Sequence, residues 1–171
     1  NCWWIDPANG DEYVFATDNV PDKGSTAIWR FKVNADGTAS PATKLKINST
    51  AYIVGGISVS ADGNKLGAAF PWPNTKILDI PTGNLTDRHA GGFGCQPNLA
   101  PDNSYRFFHC EGEHQGIMMS AFSNDFWFVD LSLNLAGAPA KSGMDFIAPR
   151  WSNHVQYFAA TFPMGDNHNS Y

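Results

Sequence analysis

The sequence predicts an all-β fold, a β-propeller with about three blades and a partial fourth, belonging to a larger ring. The first observation behind this is a repeated phrase. Residues 4–15 (WIDPANGDEYVF), 57–70 (ISVSADGNKLGAAF), 95–110 (CQPNLAPDNSYRFFHC) and 148–162 (APRWSNHVQYFAATF) each carry a polar turn centre followed by an aromatic or aliphatic strand. The second is their spacing: the turn pairs Asn9-Gly10, Asp62-Gly63, Asp102-Asn103 and Asn153-His154 recur at intervals of 53, 40 and 51 residues. A propeller blade runs to about 40–50 residues, so this is blade spacing. The third is composition. With 16 Gly, 11 Pro, 6 Trp, 5 Tyr and 12 Phe in 171 residues, the chain is rich in turns and in aromatic strand formers, and it lacks long helical patterns. A compact β-sandwich is the competing architecture.

Each unit follows from its local pattern. In the first, apolar runs flank the turn at residues 6–10, a polar loop covers 16–25, and TAIWRFKV at 26–33 alternates as a strand does. A turn at 34–38 then leads to an outer strand at 44–47. The second unit enters through Gly55-Gly56, turns at Asp62-Gly63, and continues with TKILDI at 75–80. Pro81-Thr82-Gly83-Asn84 closes that hairpin, because Gly permits the left-handed position and Pro offers no ladder donor. In the third, a strand is expected at 104–109, a polar insert at 110–116, a short apolar strand at 117–122, and DFWFVDL at 125–131 as the strongest strand of the chain. A short strand at 141–146 leads to the fourth unit, whose strand at 155–162 is not followed by a finished blade. The units therefore fall near 1–50, 51–90, 91–140 and 141–171, within a single propeller domain or part of one.

Charge and length narrow the partners. Charged residues make up 16% of the chain, below the ordinary value of about 25%, and the net charge is -5. No Lys/Arg cluster exceeds two residues, so a nucleic-acid backbone is not an expected partner. No apolar run reaches the roughly 18 residues of a membrane-spanning helix. The chain starts without Met in a strand-like phrase, which reads as a processed or partial polypeptide. The expected partners are the remaining blades, from the same polypeptide or another copy, and a glycan or protein ligand. High Trp, low Lys and the cysteine pattern lean towards an extracytoplasmic location. Of the three cysteines, Cys95 and Cys110 flank the third turn on strands expected to pair. A disulfide there is sterically possible, and two buried thiols are the alternative. Cys2 is then left over.

The polar residues give several candidate sites and no strong catalytic motif. His109, Cys110, Glu111, Glu113 and His114 form the richest cluster, and histidine with carboxylate can hold a divalent ion. Their spacing matches no strong metal signature, so a hydrogen-bonded loop is the reading adopted and no cofactor is expected. Arg150 and Trp151 enter the fourth unit where a guanidinium can grip a carboxylate and an indole can stack on a sugar; Trp151 as inter-blade core is the alternative. His154 sits in a turn position that His or Asn tolerates. The Gly-rich stretch at 89–94 has no helix behind it, so it lacks the context of a phosphate loop. No G-x-S-x-G elbow occurs.

The phrases VSADGNKLGAAF, APDNSYRFF and PRWSNHVQYFA resemble the Ser-Pro-Asp-Gly openings, each followed by an aliphatic strand, of TolB-like and related WD-type β-propeller repeats. The resemblance touches residues 4–15, 57–82, 97–131 and 149–162. All four turns depart from the pattern, and only Ser-Ala-Asp-Gly keeps Asp-Gly. The resemblance implies a fold superfamily whose members include protein-binding scaffolds, lyases and sugar-processing enzymes, and fold does not choose among them. The first expectation is a non-catalytic extracytoplasmic module that binds protein or carbohydrate. The alternatives are an enzyme domain of polysaccharide lyase or glycoside hydrolase type, with His109 or His154 meeting Arg150 and an acid at the channel mouth, and a structural subunit of a surface assembly.

Overall fold

The structure, a computed structural model, describes residues 2–20, 25–48, 56–69, 75–87, 95–111, 116–120, 126–130, 147–152, 154 and 156–161. The expected short strand at 141–146 lies outside these residues. Four antiparallel meanders succeed one another along the chain. The first joins β1 (Cys2–Ile5), β2 (Glu12–Val20), β3 (Ser25–Val33) and β4 (Thr43–Asn48) in that order. The second joins β5 (Ser58–Val59), β6 (Lys65–Ala69), β7 (Thr75–Asp79) and β8 (Leu85–Asp87). The third joins β9 (Cys95–Leu99), β10 (Phe107–Glu111), β11 (Gly116–Ser120) and β12 (Phe126–Asp130), and the fourth pairs β13 (Ile147–Trp151) with β14 (Phe158–Thr161). The first strands of successive sheets touch, β1 with β5, β5 with β9 and β9 with β13. Three four-stranded blades and the start of another thus stand around shared inner strands. No helix among the described residues is long and apolar enough to cross a membrane.

Why the blades stack follows from which residues share a face. Partners across an antiparallel ladder point to the same side. Cys2 and Trp4 on β1 therefore share a side with Phe15 and Tyr13 on β2, and Ile28 on β3 joins them through Thr17. This side meets Ile57, Leu66, Ala68 and Leu78 of the second blade in one buried cluster. Along β6 the run Leu66-Gly67-Ala68-Ala69 is buried on both faces, because a blade on either side covers it. Its far face joins Ile77 to Leu99 and Phe107 of the third blade. Gly67 is small for a reason: a Cβ there would lie 3.2 Å from the Phe107 ring and 3.2 Å from Ser58 Oγ. Ser58 Oγ in turn accepts the Leu99 N–H at 2.7 Å, satisfying an inner-strand donor from the neighbouring blade.

The turns between each blade's first two strands share one frame. The backbone N–H of Asp6, Ser60 and Ser152 donates to the carbonyl five residues on, at Asp11, Lys65 and Tyr157. The third blade spans six residues instead, Ala100 N–H to the Arg106 carbonyl at 2.8 Å. Tyr105 belongs to that longer turn and sits at φ 54, a left-handed position that costs a non-glycine residue about 1–2 kcal/mol. The expected strand at 104–109 is corrected accordingly: β10 starts at Phe107 because Ser104 and Tyr105 are spent on the turn. The polar loop expected at 16–25 is corrected as well. β2 continues through Val20, because Thr17 and Asp18 still find ladder partners in Ile28 and Ala27. Backbone pairing outweighs side-chain polarity there. β8 was not anticipated; it pairs with β7 through Leu78↔Leu85.

Gly63 combines two constraints. It holds φ 71, and a Cβ on it would overlap the Trp4 indole of the first blade. Gly10, at φ 77, has open space in that direction. Gly10→Ala is expected to cost about 1–2 kcal/mol, the left-handed strain alone. Gly63→Ala should cost at least 1 kcal/mol more in urea denaturation, since the inter-blade overlap is added. Equal costs would show that Trp4 packing on the turn contributes nothing.

Candidate functional site

On the inner strands, Arg150 of β13 reaches another blade. Its side chain is exposed, and its guanidinium lies against the backbone at Gly56, the approach to β5. A Cβ at position 56 would sit 2.5 Å from Nη1 and 2.7 Å from Nη2. Glycine is therefore what lets the charge settle there. The same charge acts on Cys2 of β1. Burial pushes the Cys2 thiol up, and the Val59 backbone hydrogen bond and the nearby Arg150 charge offset part of that rise. Arg150 of the fourth blade's inner strand thus meets the backbone that leads into the second blade's inner strand. A guanidinium in such a setting recognises carboxylates and other oxyanions, in the favourable case through two parallel hydrogen bonds.

The other sequence-predicted residues take different positions. Trp151 packs 5.3 Å from Phe108 of the third blade, with the Arg106 guanidinium 5.5 Å from its ring centre. This is the inter-blade position weighed as the alternative for it. Its Nε1 is buried, with no hydrogen-bond partner among the described residues. His109 is fully buried, 5.8 Å from Phe107, whose ring belongs to the packing between the second and third blades. That is the environment of a core side chain. His154 is exposed in the fourth blade's turn. Its N–H donates to Ser152 Oγ at 3.0 Å, its Nδ1 accepts the Gln156 N–H at 3.3 Å, and its ring stands 5.0 Å from the exposed ring of Tyr157. Glu111 ends β10, and its side chain, like Glu113 and His114, lies outside the described residues. Among the described residues no group of three or more His, Cys, Asp or Glu is placed to hold a metal ion. Cys95 and Cys110 are cross-strand partners in the β9–β10 ladder.

The most densely bonded polar group was not singled out from the sequence as a site. Asp62, in the second blade's turn, accepts the Ser60 hydroxyl at 2.6 Å and the Asn64 N–H at 3.0 Å on Oδ1. Oδ2 accepts the Asn64 amide at 3.0 Å and the Tyr105 hydroxyl of the third blade at 2.5 Å. The Asp62 N–H donates to Asn103 Oδ1 at 2.9 Å. On the other side the Trp4 Nε1–H donates to the Ala61 carbonyl at 2.9 Å. Lys65 pairs with Asp79 and lies 5.6 Å from the Tyr105 ring. Burial pushes the Asp62 carboxyl up, but the hydrogen bonds from Ser60, Tyr105 and Asn64 together outweigh it and hold the carboxyl below its usual value. The same bond to Asp62 pushes the Tyr105 hydroxyl up. Asp79 is held at about 2, first by Lys65 and then by Thr82. The visible signal for this cluster was Tyr105 as the extra residue in the third turn.

With the geometry in view, solved structures agree on the architecture. TolB from Acinetobacter baumannii superposes with a TM-score of 0.61 at 16% identity, over 90% of this chain and 36% of that one. A β-propeller domain from Myceliophteria thermophila gives 0.56 at 16% identity, over 94% of this chain and 48% of that one. Virginiamycin B lyase from Staphylococcus aureus gives 0.51 at 15% identity, over 94% and 47%. The fold is that of a β-propeller, present in part. The chain spans less than half the length of each of these three structures. No family model matches the chain, and no curated protein sequence matches it. At these identities the likeness is one of fold.

The depressed carboxyls set the direction of the acid response. A carboxyl with a lowered folded-state pKa contributes stability above its unfolded value of about 4, lost as pH falls through the folded value. Urea midpoints are expected to hold steady from pH 7 to about 5 and to drop between about 4 and 2. Asp62→Asn should flatten part of that acid limb. An unchanged limb in Asp62→Asn would mean that the Tyr105 and Ser60 hydroxyls do not stabilise the carboxylate.

Proposed function

We propose that this chain is part of a larger extracytoplasmic β-propeller, one domain built of units near 1–50, 51–90, 91–140 and 141–171, that acts as a non-catalytic module binding a protein or a carbohydrate. The observation that carries this reading is Arg150: an exposed side chain on an inner strand, its guanidinium against the backbone at Gly56 on the approach to the second blade. It is suited to an acidic group, the carboxylate of a uronic acid or of an Asp or Glu side chain. Burial of His109 supports binding over turnover, because that imidazole is enclosed between blades instead of being presented to a substrate. Low Lys content and the cysteine pair support the extracytoplasmic location.

The test is titration of the native polypeptide with uronic-acid oligosaccharides and with acidic peptides. Arg150→Ala is expected to weaken binding by about tenfold or more, the range of an anchor residue, and added salt should weaken it in the wild type. Binding indifferent to Arg150 would remove the site, and cleavage of the oligosaccharide would overturn the non-catalytic reading.

A second observation bears on the partner that completes the ring. The first blade's other face carries an apolar stripe, Trp3, Ile5, Val14, Ala16, Trp29 and Phe31, with Glu12, Asp18 and Lys44 on the same side by register. Trp3 and Ile5 are 56% and 54% exposed. The opposite face of this same sheet is covered by a blade, so the fitting neighbour for the open face is another blade, supplied by the remainder of the polypeptide. Intact and native mass measurements on material from the source are expected to show a polypeptide well above 18.6 kDa. A closed multimer of 18.6 kDa copies would put assembly in place of covalent completion and favour a structural subunit. A stable monomer of that mass would overturn both forms of completion.

A further inference from the structure

The β9–β10 hairpin of the third blade sets two cysteines opposite each other. The two strands pair through Phe107↔Leu99 and Phe108↔Asn98, the register then shifts, and Cys110 pairs with Cys95. Directly opposed residues in an antiparallel pair have Cα atoms about 4.5 or 5.5 Å apart, and both separations fall within the span a disulfide bridges. The ladder is weakest at this end. Pro97 offers no N–H, the bulge between Phe108 and Cys110 interrupts the register, and Cys95 begins its strand. At the opposite end the hairpin is closed by the six-residue turn and its bond to Asp62. The third cysteine is elsewhere: Cys2 lies on β1, opposite Phe15, with its thiol directed at the Trp3 carbonyl at 3.5 Å.

We propose that Cys95 and Cys110 form a cross-strand disulfide that fastens the inner strand of the third blade to its neighbour, and that Cys2 remains a thiol. The step is thiol–disulfide exchange with a small-molecule disulfide such as oxidised glutathione. One thiolate of the pair attacks the oxidant and releases one thiol. The second thiolate then attacks the mixed disulfide and releases the other. Two protons and two electrons leave the protein, and the oxidant's S–S bond is reduced.

The test uses the native polypeptide held in a glutathione redox buffer, then denatured and alkylated, with peptide mapping of the region 1–171. Without reductant, Cys2 is expected to carry the alkyl group while Cys95 and Cys110 appear in one linked peptide about 2 Da lighter than its two reduced parts. After reduction all three cysteines should alkylate. Cys95→Ser should expose Cys110 to alkylation and leave Cys2 unchanged. Reduction should lower the melting temperature of the wild type by about 5–10 °C and leave that of the Cys95→Ser/Cys110→Ser double variant unmoved. Alkylation of Cys95 and Cys110 without reductant, or a linked peptide containing Cys2, would overturn the proposal.

Discussion

The Asp62-Gly63 turn is held from both sides, and the alignment of the three complete blades depends on it. Trp4 reaches it from the first blade, bonding Ala61 and packing its indole against Gly63. Tyr105 and Asn103 reach it from the third, bonding the Asp62 carboxylate and its backbone N–H. One turn thereby couples residues more than 40 positions away in either direction. The carboxylate is well suited to the task because it accepts several donors at once, and each hydrogen bond to an ionised group is worth more than a neutral one. Tyr105 accepts a left-handed backbone to make its bond, so strain in one blade is compensated by a contact with the next.

A blade differs from an ordinary sheet in needing cover on both faces. β6 shows the consequence: a run of Leu, Gly and Ala in which both faces are buried and side chains are small enough for neighbouring sheets to close in. The inter-blade layers are then made by single large residues from the facing strands, Phe15 and Ile28 on one side, Phe107 and Leu99 on the other. Replacing Phe15 by a small side chain would remove one of the larger fully buried groups, and losses of about 3–5 kcal/mol accompany such changes in cores. The exposed Trp3 and Ile5 occupy the equivalent layer on the first blade's outer face, where no described residue covers them.

Sequence reasoning reached the features that are local. Asp62-Gly63 and Pro81-Thr82-Gly83-Asn84 read as turns because Gly tolerates positive φ, and Gly63 and Gly83 adopt it. The 40–53 residue spacing read as blades because each meander is one repeat. What could not be read was which side chains meet between blades. His109 looked like part of a polar cluster in a linear string, yet strand parity turns it to the Phe107 face and buries it. Asp62 looked like any turn aspartate, since its bond to Tyr105 crosses 43 residues. Trp151 was open between sugar platform and core until Phe108 was seen against it.

Arg150 illustrates how function is placed on such a scaffold. Most polar groups of the described turns are consumed by the frame itself: Asp6, Asp62, Asp79, Asp102 and Ser152 each accept backbone N–H groups of their own turn. A group so engaged is poorly placed to trade its partners for a ligand, because every bond given up must be replaced. The guanidinium of Arg150 lies against the Gly56 backbone, which orders a long side chain that is otherwise exposed. Preordering of this kind lowers the entropic cost of capturing an anion. Gly56 is thus as much a determinant of the site as Arg150: a Cβ at position 56 would overlap the guanidinium and force it to move.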